Sequence, residues 1–137
     1  MLRFAANLTM LFNEVSFLER FQAARDAGFD YVEYLFPYDY EAKELANRLK
    51  QNDLQQVLFN LPPGDWDAGE RGIACLPDRK SEFQAGVAKA IEYAKHLNVP
   101  RVNCLSGITS KQYSETEQWQ CLLDNLYFAA ETLAQHN

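Results

Sequence analysis

Short apolar runs alternate with longer amphipathic stretches, and the same pattern comes round four times. Arg3-Phe4-Ala5-Ala6-Asn7-Leu8 is a brief, mostly apolar run that reads as a strand. Behind it, Ser16-Phe17-Leu18-Glu19 has the residues of a capping box, in which serine and glutamate each satisfy an N–H left free at a helix start. Phe17, Leu18, Phe21, Ala24 and Ala27 then recur at helical spacing, and Gly28 supplies the left-handed residue that commonly ends a helix. Residues 31–36 predict a second strand, rich in β-branched and aromatic side chains and closed by Pro37. Asp39 is placed to cap the helix that follows, in which Ala42, Leu45, Ala46 and Leu49 form an apolar stripe opposite Glu41, Lys43, Glu44, Arg48 and Lys50.

Residues 56–60 predict the third strand, and after a long loop Asp78 or Ser81 is expected to cap a helix carrying Phe83, Val87, Ala90, Ile91, Ala94 and Leu97 and ended by Asn98 and Pro100. Residues 101–107 predict the fourth strand, with Asn103 as its one interior polar residue. A second capping box, Ser114-Glu115-Thr116-Glu117, opens a helix whose Trp119, Leu122, Leu123, Leu126, Ala130 and Leu133 share an apolar face. Four strand-helix units in succession imply a parallel sheet with right-handed crossovers. Two architectures satisfy this, a doubly wound sheet and part of a (β/α)₈ barrel, which needs about 250 residues to close. No G-x-G-x-x-G or G-x-x-x-x-G-K-[ST] follows any strand, and polar residues (Asn7, Asn60, Ser106) gather at strand C-terminal ends, the face on which barrels build active sites. The pattern therefore favours the barrel.

The stretch after the third strand interrupts this regularity. Pro62 and Pro63 stop the strand, since proline cannot donate to a sheet ladder and restrains its predecessor to extended geometry. Gly64, Gly69 and Gly72 open backbone angles closed to other residues, and Asp65, Trp66, Asp67, Glu70 and Arg71 lie among them. Trp66, Ile73 and Leu76 give this loop apolar contacts of its own. It is thus either a functional element or a packed Ω-like cover.

Composition adds limits. At 137 residues, 47% hydrophobic and 23% charged, the chain has the make-up of an ordinary globular domain. A net charge of −6 disfavours nucleic acid and anionic membrane as partners, because both need concentrated positive charge. One local cation is still enough for a small acidic metabolite. Cys75, Cys104 and Cys121 are odd in number and form no C-x-x-C pair, so they read as reduced packing residues. There is no 18-residue apolar run and no signal-peptide core, which makes a cytoplasmic protein the expectation. Asn7-Leu8-Thr9 matches a glycosylation sequon only by chance on that reading.

Candidate chemistry is incomplete. His96 lies on the outer run of a helix and His136 at the C-terminus, so neither reads as a base or a ligand. Glu33 stands out in the second strand, because burying an unpaired carboxylate costs several kcal/mol or shifts its pKa, so it must face solvent, a polar partner or a site. Asp65, Asp67 and Glu70 are the other acids near strand ends, and Glu70 beside Arg71 could equally be a loop-fixing ion pair. None is assigned as the catalytic base.

Three segments carry a resemblance: Arg3-Phe4-Ala5-Ala6-Asn7-Leu8-Thr9-Met10-Leu11-Phe12, Phe36-Pro37-Tyr38-Asp39-Tyr40, and Asn60-Leu61-Pro62-Pro63-Gly64-Asp65-Trp66 through Gly69-Glu70-Arg71-Gly72. Through them the whole chain resembles the hydroxypyruvate isomerase family of xylose isomerase-like barrels, with the 2-oxo-tetronate isomerases as near relatives. Trp66 and Arg71 look closer to the hydroxypyruvate type and Phe59 to the other.

The resemblance implies a cytoplasmic carbohydrate-metabolism isomerase, an intramolecular oxidoreductase of the aldose-ketose kind. It would interconvert hydroxypyruvate and tartronate semialdehyde as carboxylates move a proton through an enediolate. It also implies a divalent ion, Mg or Mn, in full-length members. The family's catalytic glutamates and metal site look to belong to strands after the fourth, so this chain carries over no catalytic residue and no metal ligand. As the N-terminal half of a (β/α)₈ barrel, a single partial domain over residues 1–137, it would be a fragment that is inactive alone.

What carries over is a substrate-facing wall: Asn7 at the first strand end, Glu33 and Phe36 on the second, Asn60 on the third, and Glu70 with Arg71 in the loop. Arg71 is the expected partner of a substrate carboxylate, since a guanidinium binds one through two parallel hydrogen bonds. Expected partners are a small hydroxy or keto acid and, through its open edges, a second copy or the C-terminal half. A non-catalytic binding or assembly module is the alternative from another class.

Four barrel strands standing alone would leave unpaired edges and apolar inward faces in water. The purified 137-residue chain is therefore expected to self-associate or to bind hydrophobic dye, and light scattering with a thermal melt checks this. A sharp, reversible melt of a monomer with little dye uptake would speak against it.

Overall fold

A computed structural model describes residues 2–136. Four strands, β1 (Ala5–Asn7), β2 (Tyr31–Glu33), β3 (Gln55–Asn60) and β4 (Val102–Asn103), lie in one sheet in the order β1-β2-β3-β4. Each strand is followed by a helix: α1 (Arg20–Asp26), α2 (Ala42–Gln51), α3 (Lys80–Leu97) and α4 (Glu115–Ala134). The β1/β2 and β2/β3 ladders are parallel. A strand order that follows the sequence without reversal is that of a (β/α)₈ barrel; a doubly wound sheet reverses its order at a switch point. The chain divides into two compact units, one of residues up to Phe59 with Tyr93–Val102, the other of Asn60–Glu92 with the residues from Asn103 on.

In the first unit the alternation of the strands sets two faces. Ala6 and Val32, opposite one another in register, are fully buried, as are Leu8 and, two residues beyond Val32, Tyr34. Asn7 and Glu33, also opposite one another, point the other way. The buried side is aromatic. Phe17 meets Tyr34 edge-on with centroids 5.3 Å apart and stacks on Tyr40 at 5.0 Å, while Phe21 packs edge-on against Tyr34 at 5.8 Å. Tyr38 packs edge-on against Phe59 and Tyr93, whose hydroxyl donates to the Tyr40 carbonyl at 2.9 Å. The β2/β3 register shifts between Val32 and Glu33, so Val32 faces Gln56 but Glu33 faces Leu58. This bulge re-aims β3 and puts Leu58 on the side of Glu33.

Several expected boundaries differ for identifiable reasons. The second strand stops at Glu33 and not at residue 36, because the ladder to β1 is exhausted once Leu8 N–H reaches the Glu33 carbonyl, and Leu35 N–H donates to the Thr9 hydroxyl instead. Glu19 reaches back to Ser16 N–H as expected, but the helix opens there as a 3₁₀ turn, Phe17–Glu19, before α1 begins. Gly28 ends that helix at φ +87°.

Asp39 does not cap α2. A turn closed by Tyr40 N–H on the Pro37 carbonyl intervenes, and Glu41 takes the N-cap position without a side-chain bond. The expected α2 stripe is otherwise present, with Ala42, Leu45 and Leu49 buried. Neither Asp78 nor Ser81 caps the third helix. A 3₁₀ turn, Pro77–Arg79, leads into α3, entered at Leu76 with Pro77 in its first positions, and Asp78 lies in that acidic first turn. Proline there loses only an N–H that would have no helical partner. Asn98, at φ +52°, ends α3 as expected.

In the second unit the fourth strand is shorter than the expected 101–107, because beyond Asn103 the backbone turns to the long loop, with Cys75 N–H donating to the Ser106 carbonyl at 2.8 Å. The largest correction concerns α4. Its buried positions are Gln118, Cys121, Asn125 and Ala129, whereas Trp119, Leu123, Leu126 and Tyr127 are exposed, Trp119 at 62%. The Ser114/Glu117 capping box is formed in both directions, so the start was legible and the face was not.

Candidate functional site

The first unit brings together two of the expected wall residues. Asn7 Nδ2 donates to Glu33 Oε1 at 3.1 Å, while Asn7 Oδ1 accepts from Thr9 N–H at 3.0 Å. Parallel register places them side by side, and the amide is fixed at both ends. Glu33 thus has the polar partner that a carboxylate between Val32 and Tyr34 requires. Phe36 follows β2 half-buried, just ahead of the buried Pro37.

The second unit holds Asn60, Glu70 and Arg71. Asn60 is buried at the end of β3, and its Oδ1 accepts from Asn103 Nδ2 at 3.0 Å, so the polar residues noted at the ends of the third and fourth strands form one pair. Leu61 N–H donates to the Asn103 carbonyl beside it. From there the chain runs into the long loop, which is tightly built. Asp65 Oδ1 accepts from Ala68 N–H and its carbonyl from Glu70 N–H, Gly69 N–H closes on the Trp66 carbonyl, and Gly72 N–H returns to the Pro63 carbonyl. Gly64, Gly69 and Gly72 all have positive φ, as the composition of the loop suggested. At Gly72 a Cβ would also strike the Leu105 backbone.

Ile73, Ala74 and Cys75 are buried, and their irregular backbone needs partners that no ladder supplies. Helix α4 provides them. Asn125, 2% exposed, donates Nδ2 to the Ala74 carbonyl at 2.8 Å, and the Cys121 thiol lies 3.6 Å from the same oxygen. One turn nearer the helix start, Gln118 donates to the Ser110 and Tyr113 carbonyls and accepts from Ser110 N–H. This is why the helix buries a polar stripe. Asn125 and Gln118 were not singled out from sequence; the available signal was their i, i+7 spacing with Cys121 between, a second stripe opposite the apolar one.

Glu70 and Arg71 do not pair with each other. Glu70 pairs with Arg79, Nη1 to Oε1 at 2.8 Å, and its Oε2 accepts from Asp65 N–H. The Arg79 guanidinium and that N–H hold the Glu70 carboxyl below the usual range, and Arg79 does the same for Glu82. Arg71 instead lies over the Trp66 ring, its guanidinium carbon 3.9 Å from the centroid, and Nη1 donates to the Trp66 and Glu70 carbonyls. Its remaining edge, Nε and Nη2, has the fork geometry that suits a carboxylate.

Cys75, Cys104 and Cys121 are free thiols, and burial pushes Cys104 up to about 11. Among the described residues no group of three or more His, Cys, Asp or Glu is arranged to hold a metal ion. The donors present here therefore do not fit a divalent ion, and no step below depends on one. No described helix is long and apolar enough to cross a membrane.

A parallel sheet in sequential order, with polar groups at its strand ends, is the arrangement of a (β/α)₈ barrel. The match to the Xylose isomerase-like TIM barrel model over residues 21–137 makes this specific: the chain belongs to that family, as the N-terminal half of such a barrel. It is 50% identical to the hydroxypyruvate isomerase of Escherichia coli (strain K12) over 137 residues, which is all of this chain and 53% of that protein. It is 48% identical to the 2-oxo-tetronate isomerase of Pectobacterium atrosepticum, covering 98% of this chain and 51% of that one. A crystal structure titled AP endonuclease, family 2, from Brucella melitensis superimposes with a TM-score of 0.95 at 49% identity, over 99% of this chain and 52% of that one. The chain thus spans about half the length of the curated relatives it matches.

Replacing Asn125 by Ala should cost about 1–3 kcal/mol in denaturant unfolding, since the buried Ala74 carbonyl would keep only the weak thiol donor of Cys121. Removing the exposed Trp119 side chain with Trp119→Ala should cost well under 1 kcal/mol by the same measurement.

Proposed function

We propose that the chain is the substrate-facing half of an isomerase that interconverts hydroxypyruvate and tartronate semialdehyde. In that reaction a proton leaves C3 of hydroxypyruvate, an enediolate forms, the hydroxyl proton passes from O3 to O2, and a proton is returned at C2, so that ketone and primary alcohol become alcohol and aldehyde while the carboxylate is untouched. Such an enzyme must hold the carboxylate and leave the other two carbons accessible. The observation that carries the reading is the Trp66–Arg71 pair, a guanidinium held over an indole with two bonds to backbone carbonyls and its Nε–Nη2 edge turned to neither of them. The cation–π contact and the two carbonyl bonds restrain the fork, which lowers the ordering cost of binding.

The names of the relatives at 50% and 48% identity support an isomerase of this kind and do not choose between substrates. Phe59, which looked closer to the tetronate type, is 1% exposed and packs on Tyr38, so it is a core residue and gives no vote on substrate. That leaves Trp66 and Arg71, which look closer to the hydroxypyruvate type, with 2-oxo-tetronate as the second reading. A DNA substrate is disfavoured by the net charge of −6.

Glu33 is engaged by Asn7, and Glu70 and Glu82 share the Arg79 guanidinium, so none of these carboxylates is assigned to proton transfer. The proton-moving groups, and any divalent ion, are proposed to lie outside these residues, and the 137-residue chain to bind without turning over. Hydroxypyruvate titrated into the purified chain should bind about ten- to a hundredfold more weakly to Arg71→Met than to the unmodified protein, the loss expected for a charge-assisted pair. Equal affinity would defeat the carboxylate assignment, and turnover by the chain alone, with or without added Mg or Mn, would defeat the division of labour. Tighter binding of a 2-oxo-tetronate would select the second reading.

A further inference from the structure

We infer that Arg79 is the positioning residue of the carboxylate-binding loop, latching Glu70 across Gly64 so that Trp66 and Arg71 are held for the substrate. This rests on the assignment of Arg71 above, and it assigns Glu70 to the latch and not to the substrate.

Saturation of the groups involved carries the inference. Arg79 sends Nη1 and Nη2 to the two oxygens of Glu70 at 2.8 and 3.4 Å, and Nε and Nη2 to Glu82, so every nitrogen of its fork is engaged with a carboxylate of its own chain. Arg79 has no edge left for a ligand, unlike Arg71. Glu70 is equally committed, because Oε2 also takes the Asp65 N–H. A carboxylate bound by a guanidinium and a backbone amide together is a fastener between a helical turn and a loop.

What it fastens is the ring from Asp65 to Glu70. Glu70 closes that ring twice, through its own N–H on the Asp65 carbonyl at 2.9 Å and through its carboxylate on the Asp65 N–H. Arg71 is the next residue, and the two carbonyls that fix its Nη1, those of Trp66 and Glu70, both belong to the ring. The direction of the Arg71 fork is therefore set by the latch. Gly64 supplies a second sign, with φ at +81° and no room for a Cβ, which would collide with Glu70 Oε2 and with the Ile73 side chain. The glycine is needed where the carboxylate must come down onto the backbone.

Trp66 and Trp119 are the two tryptophans, so a Trp119→Phe background makes Trp66 the sole indole reporter. In that background Arg79→Met should shift Trp66 emission to the red and weaken hydroxypyruvate binding about tenfold, the cost of a misplaced binding group, while the helical circular dichroism is kept. Arg79→Lys, which retains one charge-assisted bond to Glu70, should recover most of the affinity. Gly64→Ala should reproduce both changes with every charge in place, and it decides the matter if Arg79→Met does not fold. Arg71→Met should lose affinity without disturbing the amides of Asp65 and Glu70 in hydrogen exchange. If Arg71→Met binds normally, the carboxylate assignment fails but the emission of Arg79→Met still reports on the latch. Unchanged emission and affinity in both Arg79→Met and Gly64→Ala would overturn the inference.

Discussion

One hydrogen bond, from the Asn125 side chain to the Ala74 carbonyl, stands for the constraint on which the second unit depends. A long loop can be packed into a protein only if its backbone polar groups find partners, because a carbonyl buried without a donor costs as much as several good apolar contacts bring. Helix α4 meets that demand by turning Gln118, Cys121 and Asn125 inward and leaving Trp119, Leu123 and Leu126 outside. The burial of Ala74 and its neighbours at the far end of the loop follows from a helix packed by its polar stripe.

The first unit solves the opposite problem by ordinary means. Its strands alternate between an aromatic side, where Phe17, Phe21 and Tyr34 interlock, and a polar side, where Asn7 and Glu33 pair across the ladder. The bulge between Val32 and Glu33 shifts the register of β3, so that Leu58 stands opposite Glu33. Burial on one side lets the other carry polar groups, since the strand ends are then rigid supports for side chains that hydrogen-bond to each other.

Much of this was legible in the residues, and the limits have physical causes. The four βα units, the Ser114/Glu117 capping box, Gly28 and Asn98 as helix ends, and the positive-φ glycines of the loop all follow from local chemistry. The helix caps at Asp39, Asp78 and Ser81 did not materialise, because the Pro37–Tyr40 turn and the Pro77–Arg79 turn decide where those helices begin. The face of α4 was misleading, because an apolar stripe is the usual inner face and nothing local announces that buried carbonyls will claim the other side. Glu70 was recognised as a candidate for a loop-fixing ion pair beside Arg71, yet its partner is Arg79, a contact set by the path of the loop and invisible from spacing. Family membership was legible in three segments, at the first strand, after the second, and in the loop.

The account turns on the loop being a fixed part of the fold. Native-state hydrogen exchange at single-residue resolution tests that directly, through the amides of Gly72 and Cys75, which donate to the Pro63 and Ser106 carbonyls. Protection of both within about tenfold of the interior amides of α4 is the predicted result, as expected for groups that open only with the unit around them. Exchange at the rate of an unstructured chain while α4 stays protected would contradict the account, for the loop would then be a mobile cover and Arg71 would have no fixed place.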